Sequence, residues 1–289
     1  MFKGRGIHLL NSILSRFQLE VINTDISYTK KFDPSSSYMR DASFHRMLIK
    51  ELGGAAEAHF SSRLKHIGSD ISYDETVKDF FEIYSKRPIK DNTGGSGFHN
   101  AFWLFVTARA VNPSLIVESG VHKGHTTYLL SKACPDAKIL GFDINLSRLQ
   151  YKNISASYYE HDWASYHFDH IDPERSLVFF DCHVNHALRI RQAHKNGFRH
   201  LVFDDNPPAY KLYGYGLPGF PTASMVWNAP SLKDFPKIEW MWRGKQISYP
   251  VDMNELNDTR TLMKAHEPYP DVGASTRYGG FSFLSYVNL

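Results

Sequence analysis

Val117-Glu-Ser-Gly-Val-His-Lys-Gly-His-Thr-Thr127 is the stretch on which the fold turns. It includes the end of the apolar run Leu115-Ile-Val-Glu118, predicted as a strand, and leads into a helix predicted from Gly124 to Ala133. Between the two, Gly120 and Gly124 stand four apart, where the chain must turn tightly and its backbone must stay approachable. Moving outward, the same alternation repeats. Lys138 to Asp143 reads as a second strand, Leu146 to Tyr151 as a weak helix and Ile154 to Tyr159 as a weak third strand. Leu177-Val-Phe-Phe-Asp181 and His200-Leu-Val-Phe-Asp204 read as strong strands, with a helix from His186 to Asn196 between them. Strands alternating with helices predict an α/β, doubly wound, mostly parallel sheet. Their continuous apolar character predicts a sheet covered on both faces.

The flanking sequence differs. Residues 1–97 read as a helical N-terminal extension, and residues 98–289 as the sheet domain. Within the extension, Leu9, Leu10, Ile13, Leu14 and Phe17 share one helical face, which predicts an amphipathic helix over 7–18. That face is expected to pack on the body or on a second copy, giving a homo-oligomer through the N-terminal helices; lying on a membrane is the alternative. A helix over 40–66 is expected to break at Gly53-Gly54, and Asp91-Asn-Thr-Gly-Gly-Ser-Gly97 reads as a flexible loop. Residues 206–275 are rich in Pro and aromatics and read as a lid or substrate insertion, while Tyr278 to Val287 reads as a late strand.

Composition narrows the function. The 289 residues are 42% hydrophobic and 22% charged, which excludes a disordered, collagen-like or coiled-coil chain. A net charge of +3, with no basic run, argues against a nucleic-acid partner. No apolar stretch is long enough for a transmembrane segment. Two cysteines, Cys134 and Cys182, suit free thiols in a reducing compartment, and a cytoplasmic location is expected.

Chemistry concentrates at the strand ends. The helix start after Gly124, with Thr126 in its first turn, offers N–H groups to a carboxylate or phosphate. Glu118 can take an ammonium group. Asp143, at the end of the second strand, can accept both hydroxyls of a ribose. After the third strand, Asp162 can accept from an adenine amino group and Trp163 can stack on the ring. A dinucleotide fingerprint wants Gly where Glu118 stands, so a nicotinamide cofactor fits poorly.

This arrangement resembles the class I S-adenosylmethionine-dependent methyltransferases over about residues 112–205. The resemblance implies a Rossmann-like sheet ending in an antiparallel hairpin, and S-adenosyl-L-methionine as cofactor. It also implies that Glu118 and Gly120 line the methionine end, Asp143 holds the ribose and Asp162 lies near the adenine.

A second constellation is the pair Asp181-Cys-His183 and Asp204-Asp205-Asn206, each at the end of a strong strand. Adjacent parallel strands bring both to one sheet edge, where three carboxylates repel unless a divalent cation lies between them. Oxygen ligands suit Mg²⁺, with Mn²⁺ or Ca²⁺ as alternatives. The pair resembles the metal-dependent O-methyltransferases of macrolide sugars and their cephalosporin-hydroxylase-type relatives. That resemblance implies Asp181, Asp204 and Asp205 as metal ligands and His183 as the base, with His186 as the alternative. The relatives have Asp-x-x-His and Glu-Asp, where this chain has His two after Asp181 and an Asp-Asp pair. The expected activity is Mg²⁺-dependent O-methylation of a small molecule or glycan, a sugar first among them. A metal-independent methyltransferase and an inactive binding protein on the same fold stay open, as does N-methylation.

Overall fold

The computed structural model describes Leu14 and residues 42–214, 219–242, 244–276 and 283–289. From residue 42 onward, three helices come first: α1 (Ala42–Arg63), α2 (Tyr73–Ser85) and α3 (Phe98–Val111). The chain then alternates through β1 (Leu115–Ser119), α4 (His125–Ala133), β2 (Lys138–Phe142), β3 (Ala156–Tyr159), β4 (Ser176–Phe180), α5 (His186–Lys195) and β5 (His200–Phe203). There follow α6 (Ala223–Trp227), a separate hairpin of β6 (Lys237–Trp242) and β7 (Lys245–Pro250), and α7 (Met253–Arg260). Last come β8 (Ala265–Pro268), α8 (Gly273–Thr276) and β9 (Ser285–Asn288).

Seven strands form one sheet in the order β3-β2-β1-β4-β5-β9-β8. β1 to β5 are parallel, and β9 runs antiparallel to both β5 and β8. This is the Rossmann-like, doubly wound sheet expected, closed by an antiparallel hairpin. The winding reverses between β1 and β4, and such a reversal opens a crevice at the carboxyl ends of the strands.

Consecutive strand residues enter different cores, because side chains alternate across a strand. Ile116, Leu177, Phe179 and Val202 join the core under α1 to α4. Val117, Val178, Phe180 and Leu201 join the core under α5, α6 and α7. The first core is dense in aromatics: Phe80 meets Tyr84, Phe98, Phe102 and Phe105 with ring centroids 5.2–5.6 Å apart. The helices of 42–97 therefore share a core with the sheet.

Several local readings change. α1 runs unbroken through Gly53-Gly54. A Cβ on Gly53 would lie 2.2 Å from Asp74 Oδ1, so this glycine lets α2 approach and does not end the helix. The helix expected over 146–151 is a single turn, Leu146–Arg148, because Gln150 and Tyr151 donate their N–H groups to Lys123 O instead. β8 lies inside the stretch read as an insertion, yet it belongs to the main sheet. The late strand is Ser285–Asn288, and residues 277–282 lie outside the described residues. So does the helix expected over 7–18, apart from Leu14, which is helical. Among the described residues no helix is long and apolar enough to cross a membrane.

Phe80→Ala should lower the unfolding free energy by about 3–5 kcal/mol, read by urea denaturation, because it empties the centre of this aromatic core.

Candidate functional site

A cleft of about 400 Å³ opens at the carboxyl ends of β1, β2 and β4, lined among others by Gly120, His122, Asp143, Asp162, Asp181 and His183. That volume is within the range of small-molecule sites. Gly120 sits at φ +102°, and a Cβ there would come within 2.4 Å of Asp181 O. Gly124 sits at φ +88°, and a Cβ would come within 2.3 Å of Tyr151 O. Both positions need glycine for conformation and for closeness. Asp143 is fixed to the turn: its Oδ2 accepts from His122 N at 2.8 Å and its Oδ1 from Asn145 N at 2.9 Å.

Glu118 does not line the cleft. It is fully buried, and its two oxygens accept from the Thr126 and Thr127 hydroxyls, tying α4 to β1. Burial, opposed by those two hydrogen bonds, lifts its pKa from 4.5 to about 7. Thr126 is likewise turned inward.

Asp162 does reach the cleft, but its carboxylate is clamped by Arg189, which donates at 2.9 Å to Oδ1 and at 2.5 Å to Oδ2. Burial alone would raise its pKa, but the Arg189 guanidinium and the Ala164 N–H hold it below the ordinary range. Arg189, 2% exposed on α5, was not anticipated; a lone arginine on an otherwise ordinary helix carries no local signal of its partner. Trp163 corrects the stacking expectation. It is 0% exposed, packed on Phe168, Phe180 and Phe198 with centroids 5.2–5.9 Å away, and offers no ring face to the cleft. Ile144, 81% exposed beside Asp143, gives the cleft apolar surface at that end.

The acidic residues divide. Donor atoms of Asp181, His183 and Asp205 all lie within 4.8 Å of one another. Burial, followed by the nearby Asp204 and Asp205, pushes the Asp181 carboxyl well above the ordinary range. His183 Nδ1 lies 3.1 Å from Asp205 Oδ2, and this hydrogen bond, against burial, raises the imidazole pKa. Two carboxylates and an imidazole at this spacing fit a divalent cation. Asp204 is not among those three donors; it is 4% exposed, and its Oδ1 accepts from Asn100 Nδ2 on α3. His186 is a core residue: Ala223 N donates to its Nδ1 at 3.3 Å, its ring packs 4.7 Å from Phe203, and burial pushes its pKa down to about 3. It is therefore unsuited to the role of base.

The loop expected to be flexible, 91–97, is tethered. Lys123 Nζ donates to Asp91 O at 2.9 Å and to Thr93 O at 3.2 Å, and Gly94 lines the cleft. In the aromatic stretch, Phe220 packs on Trp240 and Tyr249 with centroids 5.2 and 5.5 Å away. Both cysteines are free thiols, Cys134 buried at the end of α4 and Cys182 in the cleft.

No protein-family model matches the chain, and no curated protein matches it. Among solved structures it is similar to CmcI-N160 with SAH, at 16% identity and TM-score 0.35 over 42% of this chain. It spans 66% of that structure, and 52% of the apo structure of CmcI-N160. It is also similar to TomG from Streptomyces achromogenes, an O-methyltransferase involved in tomaymycin synthesis, in complex with SAM; identity is 13%, TM-score 0.41, and coverage 81% of this chain and 95% of that one. For the Bacillus cereus O-methyltransferase in complex with SAH the values are 11%, 0.40, 83% and 100%.

The raised pKa of Glu118 sets a pH dependence. Unfolded chains lose this proton near pH 4.5 and folded chains near pH 7, so the destabilisation is absent below 4.5 and complete above 7. Relative to Glu118→Gln, wild-type stability should fall by about 3 kcal/mol across that interval, read by urea denaturation at a series of pH values.

Proposed function

We propose that this chain is an S-adenosylmethionine-dependent O-methyltransferase that uses Mg²⁺ (Mn²⁺ or Ca²⁺ as alternatives) and acts on a hydroxyl of a small molecule or glycan, a sugar first among these. One observation carries the reading. At a single sheet edge, the glycine turn that fixes Asp143 is in backbone contact with Asp181, whose carboxylate groups with His183 and Asp205. Asp143, Asp181 and His183 line one cleft, with Asp205 paired to His183 beside it, which supports a ribose acid and a cation-type donor set side by side.

Each residue has a task. Asp143 faces the cleft on a rigid turn and accepts the ribose hydroxyls. Ile144 gives the adenine an apolar surface. Asp162 is held by Arg189, so it keeps its charge and position at the same end of the cleft. Asp181 and Asp205 would hold the cation. When bound, S-adenosylmethionine supplies an electrophilic methyl group and the cation lowers the pKa of the acceptor hydroxyl. His183 takes the proton. Its Nδ1 is turned to Asp205, which leaves Nε2 for the acceptor, and its side chain is 57% exposed. Holding these groups in one geometry supplies much of the rate. Free thiols are compatible with a cytoplasmic site of action.

A second role for His183 has its own support, since its ring nitrogen lies with the two carboxylates at ligand spacing. His183→Gln separates the two. As the base, its loss should lower kcat by about 10²–10⁴-fold while Mn²⁺ affinity stays within about threefold. A loss of Mn²⁺ affinity in step with kcat would make it a ligand.

The cofactor is tested by calorimetry of S-adenosylmethionine with wild type and Asp143→Ala, with and without Mg²⁺. Wild type should bind, and the variant should bind at least about tenfold more weakly, a loss of about 1.4 kcal/mol. Absence of binding by wild type would overturn the enzyme reading and favour a binding protein on this fold. Turnover of sugar hydroxyls that survives chelation would favour a metal-independent transferase.

A further inference from the structure

We infer that the acidic pair is divided between two tasks, an inference that rests on the cation reading above. Asp205 faces the cation, and Asp204 is a positioning residue held by Asn100 and Ser96 at the start of α3. The geometry carries this. Asn100 Nδ2 donates to Asp204 Oδ1 at 2.5 Å, and Ser96 Oγ donates to Oδ2 at 3.1 Å. Oδ1 also accepts from Asp205 N at 2.7 Å. Both oxygens of Asp204 thus serve protein donors, and Asp204, Asn100 and Ser96 are all buried. At least three of the four lone-pair positions of this carboxylate are filled inside the protein, which leaves little of it for a cation. Asp205 is different. It is half-buried and grouped with Asp181 and His183 at ligand spacing.

The two acids are mechanically linked. Asp205 has a left-handed backbone, φ +47°, which non-glycine residues adopt uncommonly. The carboxylate of Asp204 holds it there by binding the Asp205 N–H, so the side chains of two consecutive residues leave β5 in different directions. Asn100 and Ser96 fix Asp204, Asp204 fixes the Asp205 backbone, and Asp205 presents its carboxylate beside Asp181. Partners of this kind, one step removed from a cation, are worth about 10–100-fold in metal affinity.

The test uses the full chain and Mn²⁺ alone as probe, with free Mn²⁺ followed by electron paramagnetic resonance and S-adenosylmethionine affinity followed by calorimetry. Asp205→Asn should weaken Mn²⁺ binding by at least about 100-fold, whereas Asp204→Asn and Asn100→Ala should each weaken it by about tenfold. The double variant Asn100→Ala/Asp204→Asn should bind no worse than the weaker single variant, because both cut one link. S-adenosylmethionine affinity should stay within about twofold throughout, since none of these residues is assigned to the cofactor. Should Asn100→Ala fail to fold, Ser96→Ala tests the same brace. An Asp204→Asn loss equal to that of Asp205→Asn would make Asp204 a ligand and overturn the division, as would brace variants that bind Mn²⁺ like wild type. A wild type that binds S-adenosylmethionine but not Mn²⁺ would overturn the division and the cation reading together, leaving methyl transfer standing.

Discussion

The backbone of Gly120 lies directly against the carbonyl of Asp181, and the rest of the structure is arranged around that contact. No side chain fits between them: a Cβ would sit 2.4 Å from the carbonyl oxygen. Because β1 and β4 are neighbours in register, the turn after one and the acid after the other are fixed together. Asp143 is then tied to the turn through His122 N, and Asp204 continues the ladder by donating its N–H to Phe180 O. The two halves of the proposed site are therefore set by main-chain geometry, with side chains adding chemistry to positions already determined. This is the stiffness that a positioning mechanism requires.

β4 and β5 were legible because they are short, apolar on both faces and separated by α5. Leu177 to Phe180 and His200 to Phe203 carry that signal almost unaided. β8 was not legible: Ala-His-Glu-Pro has no apolar period, and it is a strand because β9 pairs with it. Gly53 misled because a glycine that admits a neighbouring helix looks, in sequence, like one that ends its own.

The site was legible in its acids and less so in their orientations. Asp143, Asp162 and Asp181 reach the cleft as residues at strand ends should. Trp163 and His186 carry chemically suggestive side chains but turn into the second core, where burial decides their surroundings. The partners that orient the acids come from far along the chain: Arg189 for Asp162, and Asn100 and Ser96 for Asp204. Local pattern holds no trace of such pairings. Glu118 shows the opposite case, an acid at a strand end whose partners, Thr126 and Thr127, lie in the adjacent helix and turn it from a cleft residue into a buried fastening.

The position of β9 has a consequence for how the chain reaches this structure. β9 lies between β5 and β8, so the free edge of β5, His-Leu-Val-Phe, has its antiparallel partner only after the whole of 204–284 has been made. Until then an apolar strand edge stands open beside a long stretch rich in aromatic residues, the kind of edge that recruits other chains. A chain cut short before residue 285 would keep every residue assigned to the cleft and lose the strand that seals its sheet. Its failure would be one of association between molecules before it was one of chemistry.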